Sequence, residues 1–251
     1  MHSPETRVDT AILTGLAALA VILIFFLVTI IRFQRKKTSL YRNRLAAEIA
    51  AIEQERSRIA RDLHDDLGSA LAAIKLKLHC LEPERQENMA IAEQSGAFVD
   101  EAMRRLRSIS FNIMPGVLQR NGLKPALHEL FKTMQSGKTK INASLDIPLP
   151  GSSRDIHIYR IIQEIITNSL KHANATLITL TMKRHNGFLL LHITDNGTGF
   201  NQRKVLKQGR GQGLQNIISR AGLLDATVFL TAGPGKGVDY EIKIPEYHEQ
   251  L

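Results

Sequence analysis

A single cysteine, Cys80, stands in the 251 residues, and there is no tryptophan at all. One thiol excludes a disulfide framework and places the folded part of the chain in a reducing compartment. Proline is scarce, eight in all; none falls between Ser39 and Leu81, where Gly68 is also the sole glycine. A stretch without breakers points to a long helix. Internal repeats and low-complexity tracts are absent too. With 43% hydrophobic residues, the length suits one or two packed domains and no more.

Acidic residues are in the minority, 24 against 33 Lys and Arg, for a formal charge of +9. A basic balance can serve nucleic acid, but here the cations are spread along the whole chain and partly cluster behind one apolar segment, so no direct nucleic-acid contact is expected. That segment, Ala11 to Ile31, runs 21 residues without a charge, long enough to cross a hydrocarbon core of about 30 Å as a helix. A cleaved signal peptide would have a shorter apolar region with its basic residues in front. Here Arg32, Arg35, Lys36, Lys37, Arg42 and Arg44 follow it. The positive-inside bias then predicts a single-pass protein of the cell (inner) membrane, with residues 32 onward cytoplasmic and a tail of residues 1–10 outside. Ten residues cannot form a sensory domain, so a membrane partner is a candidate source of input.

Within the breaker-free stretch, Leu45, Ile49, Ile52, Ile59, Leu63 and Ala70 follow alternating four-three spacing, with Arg56 and Asp66 at two of the seam positions and Ile74 four residues further on. This is the mark of a coiled-coil seam. After a breaker at Pro83, a second helical pattern runs from Asn88 to Ile113 and stops before Pro115 and Gly116. Two antiparallel helices per chain, paired across a homodimer, make a four-helix bundle. Beyond them the pattern alternates. Helices are expected at Lys124–Met134, Arg154–His172 and Leu214–Leu224, and strands at Lys140–Asp146, Ala175–Lys183, Phe188–Thr194, Thr227–Ala232 and Val238–Ile244. The predicted fold is therefore one transmembrane helix, an all-α dimerisation hairpin and an α+β sandwich of helices on one sheet. The expected divisions are a tail at 1–10, a membrane helix at 11–31, a juxtamembrane helix at 32–48, a helical domain at 49–116 and the sandwich at 117–251.

Four stretches carry chemistry. In RIIQEIITNSLKHA, Glu164, Asn168 and Lys171 recur at i, i+4 and i+7 opposite an isoleucine stripe, so one polar face presents a carboxylate, an amide and an amine. An amide oxygen suits Mg²⁺, which takes few protein ligands beside substrate phosphates. In LHITDNGTGF a strand ends at Asp195, and Gly197 and Gly199 break it; such a carboxylate can accept a hydrogen bond from an exocyclic amine. In GRGQGLQNI, Gly209, Gly211 and Gly213 precede a helix whose free N–H groups suit phosphates. No strand comes just before it, so a dinucleotide-binding reading fails. The fourth, ARDLHDDLGSAL, sets His64 among Asp62, Asp65 and Asp66 on a helix. Each stretch alone fits a solvated helix face or a turn.

In this order and spacing they resemble the sensor histidine kinases of two-component systems. NSLKH matches the N box, DNGTG and GRGQGL the two glycine boxes, and ERSRIARDLHDDLG the phosphoacceptor box of the nitrate-sensor-like subfamily. The likeness spans about residues 50 to 246 and implies a dimeric phosphoacceptor bundle with a gyrase- and chaperone-type ATP-binding domain. It further implies that His64 is phosphorylated from ATP, with Asp65 orienting it and taking its proton, and that the phosphoryl group passes to an aspartate of a response regulator. Asn168 would hold Mg²⁺ with Glu164 arranging the metal and its waters, Lys171 and His172 would face phosphates, and Asp195 would select adenine. The segment from Asn201 to Gly213 would close as a lid. Two departures stand out: Val238 where the family often has threonine, and Ser69 where the subfamily often has glutamine. Two rivals are a clamp-type ATPase of the same fold, in which Glu164 activates water, and a nucleotide-insensitive membrane dimer scaffold.

Overall fold

A computed structural model describes residues 4–80, 86–114, 116–135, 138–146, 152, 154–201 and 211–246. The chain divides into two compact units, Met1–Ala51 and Ile52–Leu251. Helix α1 runs Pro4–Asp62 and gives way to one π-helical turn, Leu63–Leu67, before α2, Gly68–His79. The side chains of residues 1–15, 17, 18 and 20 lie outside the described ones, so much of the expected span Ala11–Ile31 does too. Among the described residues no helix is long and apolar enough to cross a membrane.

The π turn alters the expected seam. Its closing bond runs from the Gly68 N–H to the Leu63 carbonyl, one residue further than in an α-helix. That extra residue moves Asp66 off the stripe and brings Leu67 onto it, followed at four-three-four spacing by Leu71, Ile74 and Leu78 in place of Ala70. Ile52, Ile59, Leu67 and Ile74 are exposed at 36–50%, an apolar line left open on the single chain. Helix α3, Gln86–Ile113, packs back on α2, and the Ser110 hydroxyl donates to the Ala60 carbonyl at 3.1 Å across the hairpin.

Two shorter helices follow, α4 at Gly116–Asn121 and α5 at Leu123–Met134. The sandwich is then built from β1 (Lys140–Asp146), α6 (Asp155–His172), β2 (Leu177–His185), β3 (Phe188–Asp195), α7 (Gln212–Leu223), β4 (Thr227–Ala232) and β5 (Val238–Pro245). One five-stranded sheet has the order β1-β2-β3-β5-β4. Only β1 and β2 run parallel, because α6 forms the crossover between them. The β2–β3 hairpin turns on Asn186 and Gly187, both at positive φ (50° and 77°), the pair a two-residue hairpin favours.

Burial alternates along β5, with Val238, Tyr240, Ile242 and Ile244 inward. The inner face meets one stripe of α6, where Ile158, Ile161, Ile162, Ile165 and Ile166 are at most 4% exposed. Leu127 and Leu130 of α5 and Ile217 of α7 complete the same core. Truncating Ile162 to alanine at its centre is expected to cost about 2–5 kcal/mol. The isoleucine stripe thereby fixes the rotation of α6 and turns its polar residues toward the C-terminal edge of β3.

Candidate functional site

On that polar face the Asn168 amide nitrogen donates to Glu164 Oε1 at 3.3 Å. Because the nitrogen makes this bond, the amide oxygen remains as a neutral hard donor beside a carboxylate. Both line a cavity of about 530 Å³, within the range of small-ligand sites. His172, Asp195, Gly199, Gly211 and Gly213 share its wall. Lys171 is exposed and lies outside the lining, one position around the helix from His172. Among the described residues no cluster of three or more His, Cys, Asp and Glu side chains forms a metal site.

Asp195, at the end of β3, is held at both oxygens. Ser169 Oγ donates to Oδ2 at 2.6 Å, and the Gly197 N–H donates to Oδ1 at 2.8 Å. Each oxygen keeps further lone pairs toward the cavity. Ser169 is 2% exposed; it was not singled out from the sequence, where its only signal is a small polar residue on the buried side of the isoleucine stripe. The turn after Asp195 is then stapled down. The Thr198 N–H donates to the Ala173 carbonyl at 2.8 Å and the Gly235 N–H to the Thr198 carbonyl at 2.6 Å. At Gly199, with φ +59°, a Cβ would strike the carbonyls of Gly233 and Gly237, so only glycine fits. A Cβ on Gly197 would meet Ala173 at 2.5 Å.

Two further cavity residues come from β5. Tyr240 is buried and its hydroxyl is pushed up to about 12, first by burial and then by the Asp195 and Glu164 charges, so it stays a neutral phenol. Val238, where the family often has threonine, supplies an apolar wall there.

The opposite wall is the start of α7. Gly211 caps it at φ 144°, and Gly211, Gln212, Gly213 and Leu214 line the cavity. The first N–H groups of this 12-residue helix have no intrahelical partner and carry the positive helix end. A side chain on Gly213 would collide with Glu164 Oε1 and come within 3.1 Å of the Asn168 amide. Glycine there lets the N-terminal end of α7 touch the amide-carboxylate pair. Gly209 and most of the expected lid, residues 202–210, lie outside the described residues.

His64 and Asp65 sit in the π turn, both exposed. His64 borders two grooves, one shared with Asp65, Ser69 and Arg107, the other with Arg61, Arg107, Arg120 and Glu129. Ser69 thus lies on the same groove as His64. π turns recur at functional positions.

Comparison with known proteins bears on both regions. Residues 55–118 match the family described as "Histidine kinase", and residues 153–248 the family described as "Histidine kinase-, DNA gyrase B-, and HSP90-like ATPase". The chain is 32% identical over 201 residues to sensor protein VraS of Staphylococcus aureus (strain COL), covering 77% of this chain and 56% of that protein. Sensor protein VraS of Staphylococcus epidermidis (strain ATCC 35984) is 31% identical over 206 residues, with 79% and 58% covered. The chain therefore spans little more than half the length of these relatives. Among solved structures, the histidine kinase domain of the Erythrobacter litoralis EL346 blue-light activated histidine kinase aligns at 18% identity and a TM-score of 0.47, covering 77% of this chain and 93% of that one.

Proposed function

We propose, for a chain that belongs to the sensor histidine kinases of the nitrate-sensor-like subfamily, that it transfers the γ-phosphoryl group of ATP to its own His64 and then to an aspartate of a response regulator. The observation that carries this reading is the cavity in which Asp195, the Asn168–Glu164 pair and the N-terminus of α7 converge. Those parts suit adenine, a metal and phosphates in turn.

Phosphoryl transfer needs positioning and charge neutralisation more than covalent help from the protein. Asp195, oriented by Ser169 and Gly197, accepts the adenine amine. The free N–H groups of α7, with Gly211 and Gly213, take phosphate oxygens, and His172 stands on the same wall. The Asn168 carbonyl oxygen and the Glu164 carboxylate are hard oxygen donors of the number Mg²⁺ accepts from protein, so they fit that ion. When bound, Mg²⁺ neutralises phosphate charge. Lys171, Gly209 and the segment after Asn201 would complete the phosphate side on closure. At the acceptor, a neutral imidazole nitrogen of His64 attacks the γ-phosphorus as ADP leaves, and Asp65 is the adjoining base for the imidazole proton.

The division of labour follows the expected bounds, with 49–116 as the dimerisation and phosphoacceptor domain and 117–251 as the ATP-binding domain. The open apolar line of Ile52, Ile59, Leu67 and Ile74 supports a homodimer through a four-helix bundle. The uncharged run at 11–31 with its trailing cations supports a single-pass anchor in the cell membrane, with the kinase portion in the cytoplasm.

The test is binding and labelling by Asn168→Ala. It should lose Mg²⁺-dependent ATP binding and autophosphorylation while keeping its thermal transition, since Asn168 stands on the cavity wall outside the buried isoleucine core. Normal labelling by the variant would remove Asn168 from the site, and ATP turnover without any phosphoprotein would favour a clamp-type ATPase.

A further inference from the structure

Strand β5 sends two inward side chains, Val238 and Tyr240, to the wall of the nucleotide cavity. The β3–β5 register sets Val238 directly opposite Asp195 and Tyr240 opposite Ile193, two residues earlier on the same face of β3. Tyr240 is therefore the diagonal neighbour of Asp195, and such neighbours stand about 7–8 Å apart, within reach of an aromatic side chain. Val238 offers no hydrogen bond beside the carboxylate; Tyr240 brings a phenol. Among the described residues nothing hydrogen-bonds its hydroxyl, and the sealed orphan there is the hydroxyl of Tyr159, so that of Tyr240 opens on the cavity it lines.

We infer that Tyr240 is a base-reading residue: its hydroxyl donates to N1 of adenine while Asp195 accepts from the neighbouring 6-amine. The amine and N1 of adenine flank one carbon, so that edge shows a donor beside an acceptor. Asp195 and Tyr240 show an acceptor beside a donor. Both Asp195 oxygens keep lone pairs after their bonds to Ser169 and Gly197, and the Tyr240 hydrogen is available at neutral pH because burial first, and then the charges of Asp195 and Glu164, keep the phenol protonated. The same charges repel the phenol's lone pairs, which leaves donation as its use. The choice of N1 over N7 follows from the layout of the cavity. Phosphates belong at the first turn of α7 and the Asn168–Glu164 pair, so the ribose side of the purine turns that way. The floor made by β3 and β5 then meets the six-membered ring, the end remote from the ribose. Guanine carries a carbonyl and an N–H on the same two atoms and would meet acceptor with acceptor and donor with donor.

This inference rests on the kinase reading. Its test is a chemical double-mutant cycle: calorimetric affinities of the purified chain, as wild type and as Tyr240→Phe, for ADP, 1-deaza-ADP and 7-deaza-ADP, which cannot be turned over. Tyr240→Phe keeps the ring and should keep the fold by circular dichroism. Wild type should bind 1-deaza-ADP about tenfold more weakly than ADP, the size of one buried hydrogen bond left unmade, and 7-deaza-ADP about as well as ADP. Tyr240→Phe should bind ADP about tenfold more weakly than wild type does and should no longer distinguish it from 1-deaza-ADP, because both changes remove one bond. A merely structural role for Tyr240 would lower all three affinities alike. That result, a wild type indifferent to N1, or a Tyr240→Phe chain that still prefers ADP tenfold over 1-deaza-ADP, would overturn the assignment and leave the kinase reading standing. A wild-type chain that binds no adenine nucleotide would overturn both.

Discussion

Ser169 Oγ donates to Asp195 Oδ2 at 2.6 Å, from the buried face of α6 to the end of β3. The bond turns a residue of the hydrophobic face into the support of the carboxylate proposed to read adenine. Ser169→Ala should keep the fold and weaken ATP binding about 10-fold or more, the size of a hydrogen bond to a charged group at about 1.5–3 kcal/mol. Titration with a fluorescent ATP analogue measures it. Unchanged affinity would show that Asp195 is oriented by its backbone bond to Gly197 alone.

Two glycines of α7 make an internal comparison. At Gly213 a Cβ would collide with Glu164, whereas at Gly222 nothing lies within 4 Å. Gly213→Ala should abolish nucleotide binding with the helix content retained. Gly222→Ala should leave binding alone and raise stability by up to about 1 kcal/mol, the helix-propensity difference. Equal effects at the two positions would contradict the close approach of α7 to the Asn168–Glu164 pair.

The order of elements in the sandwich was legible because its periodicities are clean. The isoleucines of α6 at helical spacing and the alternation along β5 point to the core face directly, and β1 and β4 have the expected ends. What the periodicity could not reveal is long-range. Ser169 gains its role only from a residue 26 positions away, Tyr240 only from a strand alternation shared by every β5 residue, and Glu53 its charge partners, Arg160 and Arg220, 107 and 167 residues on. The π turn hides as well: Asp66 at a seam position reads as a flaw in a heptad, and only the Leu63–Gly68 bond shows that one inserted residue restores the line at Leu67.

Tyr159 is 0% exposed and, among the described residues, its hydroxyl is buried without a hydrogen-bond partner. An orphaned polar group of this kind costs about 1–3 kcal/mol. Tyr159→Phe should therefore raise the thermal midpoint. A fall in the midpoint would reveal an internal water on that hydroxyl.

His157 of α6 lies 3.5 Å from Arg220, whose guanidinium pairs with Glu53 at 2.7 Å. Burial first, and then the Arg220 charge, hold its imidazole below the usual value, against the pull of Glu53. The unfolded chain thus binds this proton at higher pH than the folded one, so the contribution is whole above about 6.5 and is lost as pH falls toward the lowered folded value. Glu53 responds lower still. Burial raises its carboxyl, but the hydrogen bonds and charges of Arg160 and Arg220 outweigh that and leave it below 4.5, so its contribution fades only as pH drops through that lowered value. Thermal midpoints between pH 7.5 and 5.5 should fall more steeply for wild type than for His157→Gln. Parallel slopes would assign the pH dependence elsewhere.

The central claim is that the cavity and His64 serve one reaction. Incubating the purified chain with γ-labelled ATP and Mg²⁺ and then testing the label in acid and in base addresses it most directly. Wild type should acquire an acid-labile, base-stable label, and His64→Gln should acquire none while binding ATP with unchanged affinity. An acid-labile label that persists in His64→Gln, or a wild type that consumes ATP without any protein-bound phosphate, would contradict the account.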